Sequence, residues 1–307
     1  MNPSLPLPTR PVEDVVRQAR KMLADALRDK VAGDDAQERA RAIWHSEGQR
    51  WFTAKDPIWR VHADASMFVG GIRALLLQSL HPLAMAGVAG HSGYRSDPWG
   101  RLQRTSHFLA TTTFGTVEAA EDVIASVRTI HERVRGRTQD GRPYAASDPH
   151  LLAWVHVAEV DSFLTAYQRY APEPLGDSEA DRYVAQAAGT ATRLGVPDAP
   201  TSVAALGDAL DSYRPELEST PAAREAARFL LLHPPLELSA RPGYAALGAA
   251  AVALMPSWSR PMLGLPWLPI TERVVSLPLG AAATAAVRWA LSDPDDARNP
   301  RSGRHPA

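Results

Sequence analysis

Apolar residues along this chain return at intervals of three and four, segment after segment, while alternating β-branched runs with tight hairpin signals are scarce. A period of 3.6 gathers such residues on one side of a helix, so the spacing predicts an all-α protein with almost no strand. Helices are expected over Pro11–Asp29, Asp35–Phe52, Trp99–Phe114, Thr116–Arg135 and from Ser147 to about Tyr170. Further ones follow over Ser178–Gly195, Ser202–Tyr213, Ala222–Leu232, Tyr244–Met255 and Leu277–Leu291. Ile58–Leu80 is almost uncharged after Asp64 and reads as a central buried helix. The following His81–Pro98, broken by three glycines and two prolines, reads as an interrupted helix and loop. Gly136 is expected as a helix C-cap and Ser147 as an N-cap, with Asp148 and Pro149 in the first turn.

Residues 11–292 are expected to form one α-helical domain, flanked by disordered tails at 1–10 and 293–307, which are rich in Pro, Asp and Arg. A chain of 307 residues buries about three quarters of its unfolded surface. It needs no disulfides, and none is available, since cysteine is absent. That absence also removes thiolate nucleophiles, cysteine zinc sites, iron–sulfur clusters and thiolate-ligated haem. With 33 Lys+Arg against 34 Asp+Glu there is no basic footprint, and no nucleic-acid partner is expected. Only Lys21, Lys30 and Lys55 are lysines, so arginine carries nearly all the positive charge.

No apolar run of signal-peptide length opens the sequence, and the cytoplasm is the expected compartment. The most apolar stretches, Tyr244–Met255 and Val274–Val287, fall short of the ~20 residues a membrane span requires and read as buried helices. Any membrane contact is expected to be peripheral.

The common catalytic motifs fail one by one. No G-x-G-x-x-G or phosphate-binding loop is present. Gly90-His91-Ser92-Gly93 begins like a nucleophile elbow, but Tyr94 stands where the pattern needs glycine. His131-Glu132 begins a zinc H-E-x-x-H, but Arg135 stands in place of the second histidine. What remains is a set of histidines. His131 falls within the stripe Ala120, Val123, Ile124, Val127, Ile130 and Val134. It is either a buried neutral ring satisfied by a backbone carbonyl or a haem or metal ligand. On the preceding helix Arg101, Thr105, Phe108 and Thr112 share one face, with Arg104 beside it and His107 expected to be exposed on another. This face suits either a polar pocket with an apolar wall or a solvated helix surface. His156 and Glu159 lie one turn apart, spaced for a carboxylate–imidazole hydrogen bond and for a second ligand position. His81, just before Pro82, reads as a loop histidine beside a pocket. Met67 and Met85 are placed by position alone, with Phe108, in the wall of an apolar pocket.

Three ordered segments carry a resemblance: LLLQSLHPLAMAGVAGHSGYRSDPWGRLQRTSHFLATTTFGT, then VRTIHERVRG, then YAASDPHLLAWVHVAEVDSFLTAYQRY. Together they resemble the MpaB and rubber-oxygenase (latex-clearing protein) family over Trp59–Tyr170, and more weakly to about Trp267. The resemblance implies a helical core like the globin fold and a haem b. It implies His131 as the proximal iron ligand and Arg101 and Thr105 as distal-side residues, with O₂ and an apolar, isoprenoid or lipid-like molecule as substrates. Arg104 stands where rubber-cleaving members carry a lysine that caps the iron. A guanidinium stays protonated and only donates, so that role is lost. Between Ala65 and Ser96 there is no Asp or Glu, so the base carboxylate of those members is missing too. Both departures leave open an alternative from another class, a non-catalytic haem- or lipid-binding helical module acting as sensor or carrier.

Overall fold

The structure, a computed structural model, describes residues 42–91 and 97–292. The expected helix Pro11–Asp29, both expected tails and most of the Ser92–Pro98 loop lie outside those residues. The helices run α1 (Pro57–Ala63), α2 (Met67–Gln78), α3 (Pro82–His91), α4 (Pro98–Phe114) and α5 (Val117–Arg133). A two-stranded ribbon follows, β1 (Arg135–Arg137) antiparallel to β2 (Pro143–Ala145). Next come α6 (Pro149–Tyr170), α7 (Asp177–Leu194), α8 (Val203–Ser212), a single 3₁₀ turn at Arg214–Glu216, α9 (Pro221–Leu232), α10 (Arg241–Ala253) and α11 (Ser259–Met262). The last element, α12 (Pro269–Leu291), includes a π turn at Glu272–Ser276. The all-α class holds.

Local chemistry explains the boundaries. Thr116, Ser202 and Thr220 accept backbone N–H groups in the first turns of α5, α8 and α9, and Pro149 and Pro221 open α6 and α9. Gly195 ends α7 at φ +114°, in the left-handed region that glycine reaches at no steric cost.

Several expectations are corrected. Ile58–Leu80 is two helices, because the Asp64 carboxylate accepts the Ser66 N–H at 2.8 Å and turns the chain between α1 and α2. The Asp35–Phe52 helix does not reach Phe52: helical structure stops at Trp44. Beyond it Arg50 draws in the carbonyls of Ile43 (2.8 Å), Ser46 (3.1 Å) and Phe114. Gly136 is not a cap but lies in β1 opposite Tyr144, whose ring covers it. The N-cap of α6 is Asp148, not Ser147: its carboxylate accepts the His150 N–H at 2.9 Å.

The core is built on the crossing of α2 with α6. At Gly70 a Cβ would lie 2.9 Å from Phe163 Cδ1 and 3.1 Å from its Cα, so only glycine admits this approach. One turn on, buried Arg73 donates to Ser162 Oγ (2.7 Å) and the Leu254 carbonyl (2.9 Å), and pairs with Asp161 (2.7 Å). Arg260, also buried, donates to the carbonyls of Ala253 (2.8 Å) and Met255 (3.2 Å) and pairs with Glu272 at 2.6 Å. Arg288 bridges Asp64 through two bonds of 2.8 and 2.9 Å and reaches the Tyr170 carbonyl. Arginine suits these positions because one planar fork serves several acceptors at once.

The expectation that Val274–Val287 is a buried helix is also corrected. It belongs to the 23-residue α12, which packs on α10 through Gly280, Thr284, Val287 and Ala290 and turns its other side outward. Ile270 is 80% exposed, Val274 67% and Trp267, just before the helix, 64%, so the apolar residues exceed what the core accepts.

Candidate functional site

Gly115 folds α4 and α5 into a hairpin, with α4 packing on α1 and α5 on α7. At 1.5 Å per residue Arg101 and His131 each lie roughly 20 Å along their helices from that turn. Burial grades along α4. Arg104 and Thr105 are exposed, Phe108 is half-buried, and Thr112 is buried with its hydroxyl on the Phe108 carbonyl at 2.9 Å. Arg104 pairs with Asp97 at 3.3 Å, and the Thr105 hydroxyl donates to the Arg101 carbonyl at 3.1 Å. His107, expected to be exposed, is half-buried.

On α5 the apolar stripe is narrower than the spacing implied. Ala120 and Ile124 are buried, Val127 is half-buried, and Ile130 is half exposed. His131 stands at its edge, half-buried, with Nδ1 shut away from solvent and without a hydrogen bond. Burial lowers its pKa, so the ring is neutral around pH 7.

His156 and Glu159 on α6 do not make the expected hydrogen bond. His156 Nε2 is buried without a partner, and burial pushes the ring pKa down to about 4. Burial pushes the Glu159 carboxyl the other way, up to about 7. His62 on α1 contacts Thr113 Oγ1 at 2.7 Å and the Tyr183 hydroxyl at 3.5 Å, and its pKa is also lowered to about 4 by burial. Charge on Glu159 contributes to holding the Tyr183 hydroxyl well above its ordinary value, a smaller cause than burial itself. Helices α1, α4, α6 and α7 thus enclose a polar interior of His62, Thr113, Glu159 and Tyr183. Sequence spacing gave no sign of His62 or Tyr183, whose partners lie 51 and 121 residues away.

A second cluster lies where three helix ends meet. His81, between α2 and α3, is 2% exposed, and neither of its ring nitrogens has a hydrogen bond. His150 opens α6, and Glu216 closes the 3₁₀ turn. One ligand atom from each lies within 4.8 Å of the other two. Met85, placed by sequence in a pocket wall, is buried core, and Met67 is half-buried against that core.

A model of the family described as ER-bound oxygenase mpaB/B′/rubber oxygenase, catalytic domain, matches residues 59–289. That span takes in the α4–α5 hairpin, α6 and the helix-end cluster. No curated protein and no solved structure matches the chain.

Proposed function

The chain belongs to the mpaB/rubber oxygenase catalytic-domain family, and on that premise we propose an oxidoreductase that holds haem b and brings O₂ to an apolar, isoprenoid or lipid-like substrate. The observation that carries the haem reading is the state of His131: a ring kept neutral by burial, with a nitrogen that has no hydrogen-bond partner. Histidine must be neutral to donate to iron, and with no cysteine in the chain histidine is the natural axial donor. His156 is a second ring in the same condition and is the alternative donor.

Haem b, when bound, supplies the activation of O₂. The chain's own residues do the rest. Arg101 and Arg104 are permanent cations that orient and neutralise an anionic group such as a propionate. Thr105 reaches a ligand only by turning its hydroxyl off the Arg101 carbonyl. Phe108 provides apolar wall. Glu159, with its carboxyl near pH 7, holds or releases a proton at neutrality within the polar interior beside Tyr183.

The outward face of α12 supports an apolar substrate met at a lipid surface. From Val274 to Trp289 its exposed positions carry no charge, since Arg288 is held by Asp64. We take this face as the site of peripheral contact, on the cytoplasmic side.

The test is an absorption spectrum of the chain purified with haem. A Soret band that persists unchanged in His131→Ala removes His131 from the iron, and loss of the band only in His156→Ala exchanges the two roles. The second reading, a haem- or lipid-binding module without turnover, is favoured by Arg104 in the lysine position. O₂ consumption by the reduced protein with a panel of isoprenoids separates the two readings.

A further inference from the structure

We infer that His81, His150 and Glu216 form a binding site for a zinc-class divalent cation, separate from the proposed haem residues. Three segments distant in sequence are clamped together to make it. Pro82 and Pro149 start α3 and α6 immediately beside His81 and one residue before His150. The Glu218 N–H donates to the Leu80 carbonyl at 2.9 Å, docking the 3₁₀ turn against the α2–α3 corner. The Tyr213 hydroxyl donates to the His150 carbonyl at 2.8 Å, docking the same turn against the start of α6.

The spacing fits a tetrahedral ion. Zinc bonds of about 2.0–2.2 Å to nitrogen and carboxylate oxygen set neighbouring ligand atoms roughly 3.3 Å apart. Glu216 Oε2 lies 2.8 Å from His150 Nε2 and 3.6 Å from His81 Nε2, values that bracket that separation.

The burial of His81 distinguishes this cluster from an ordinary surface ion pair. A neutral imidazole has one N–H and one lone pair, and leaving both without hydrogen bonds in the interior is costly. Packing does not explain it: the ring has Trp154, Tyr213 and His150 around it, with centroids 6.2 to 6.4 Å away. A cation held between Nε2 and Glu216 gives that buried nitrogen a partner. The neighbouring cation Arg142 is already held by Glu218 at 2.6 Å and Asp140 at 2.8 Å. His150 and Glu216 are about half exposed, which leaves the fourth tetrahedral position to water and gives the ion a path in. Two histidines and a carboxylate suit zinc over calcium or magnesium, which prefer all-oxygen shells.

The experiment uses the full chain, as purified and after haem loading, stripped with chelator and titrated with zinc chloride against a chromogenic competitor. One tight site per chain, a rise in melting temperature with zinc, and a tetrahedral visible spectrum with cobalt are expected. Both ligands nearest solvent can be removed without disturbing the core. Glu216→Ala and His150→Ala should each weaken binding more than about a hundredfold, beyond the 10–100-fold typical of residues that merely support a ligand. The exposed control His233→Ala should bind as the parent does. Absence of a tight site, or stoichiometry and affinity unchanged in both ligand variants, overturns the assignment. None of these readouts depends on haem, so the outcome is independent of His131.

Discussion

Replacing Glu159 by glutamine tests the polar interior directly, because glutamine copies the shape of the protonated carboxyl and cannot ionise. In the folded chain this carboxyl titrates at about 7 against an ordinary 4.5. A raised carboxyl pKa means that the folded state keeps a proton the unfolded chain releases, so the wild type loses stability as pH rises from 4.5 to 7. At about 1.4 kcal/mol per tenfold change in proton affinity, the full difference is about 3 kcal/mol at most, present above pH 7 and vanishing below pH 4.5. Glu159→Gln should therefore match the wild type at pH 4.5 and exceed its stability by up to that amount at pH 8. Urea denaturation of both proteins across pH 4.5–8, read as the difference in midpoint at constant slope, measures this. His62 and His156 destabilise both chains alike as pH falls from 6.5 towards 4, and they cancel in the difference. A difference that is flat with pH, or that grows towards acid, would refute burial as the origin of the shift.

Removing the partner of the buried cation in Asp161→Ala should cost about 3–5 kcal/mol in chemical denaturation, since Arg73 is left with its charge unmatched. Gly280→Val places a Cβ 2.4 Å from that of Ala250, and a loss of about 1–3 kcal/mol is expected where α12 crosses α10. The exposed Gly207→Ala, with open space around it, should instead gain up to about 1 kcal/mol in the same melts. Ile270→Glu with Val274→Glu should leave the melting temperature unchanged and abolish co-sedimentation with phospholipid vesicles. Retained sedimentation would remove α12 from the proposed lipid contact.

The parts of the molecule that sequence shows and those it hides differ in how far their causes reach along the chain. The helix start at Ser202 and the stop at Gly195 are set within a few residues, and the helix boundaries there were legible. The break at Asp64 depended on a local side-chain bond that competes with the helix, and apolar composition alone concealed it. Ile130 and the outward face of α12 show that apolar periodicity marks a potential contact without supplying a partner. His81 was legible only as a histidine beside a pocket, and His150 and Glu216 not at all, because only the docking of the 3₁₀ turn on the α2–α3 corner brings the three together. The pairing expected between His156 and Glu159 failed for a similar reason: being one turn apart permits a bond, but the surrounding helices decide which way each group faces.

The carbonyls that end α10 bear on how much of this chain can be removed. Leu254 is met by Arg73 from α2, and Ala253 and Met255 are met by Arg260, which is itself held by Glu272 in α12. A truncation after α10 would delete Arg260 and Glu272, exposing two of those carbonyls. It would also strip Arg288 from Asp64, the residue that turns the chain between α1 and α2. Helix α12 is thus a closing piece of the corner between α1 and α2, and a minimal version of the protein has to include it.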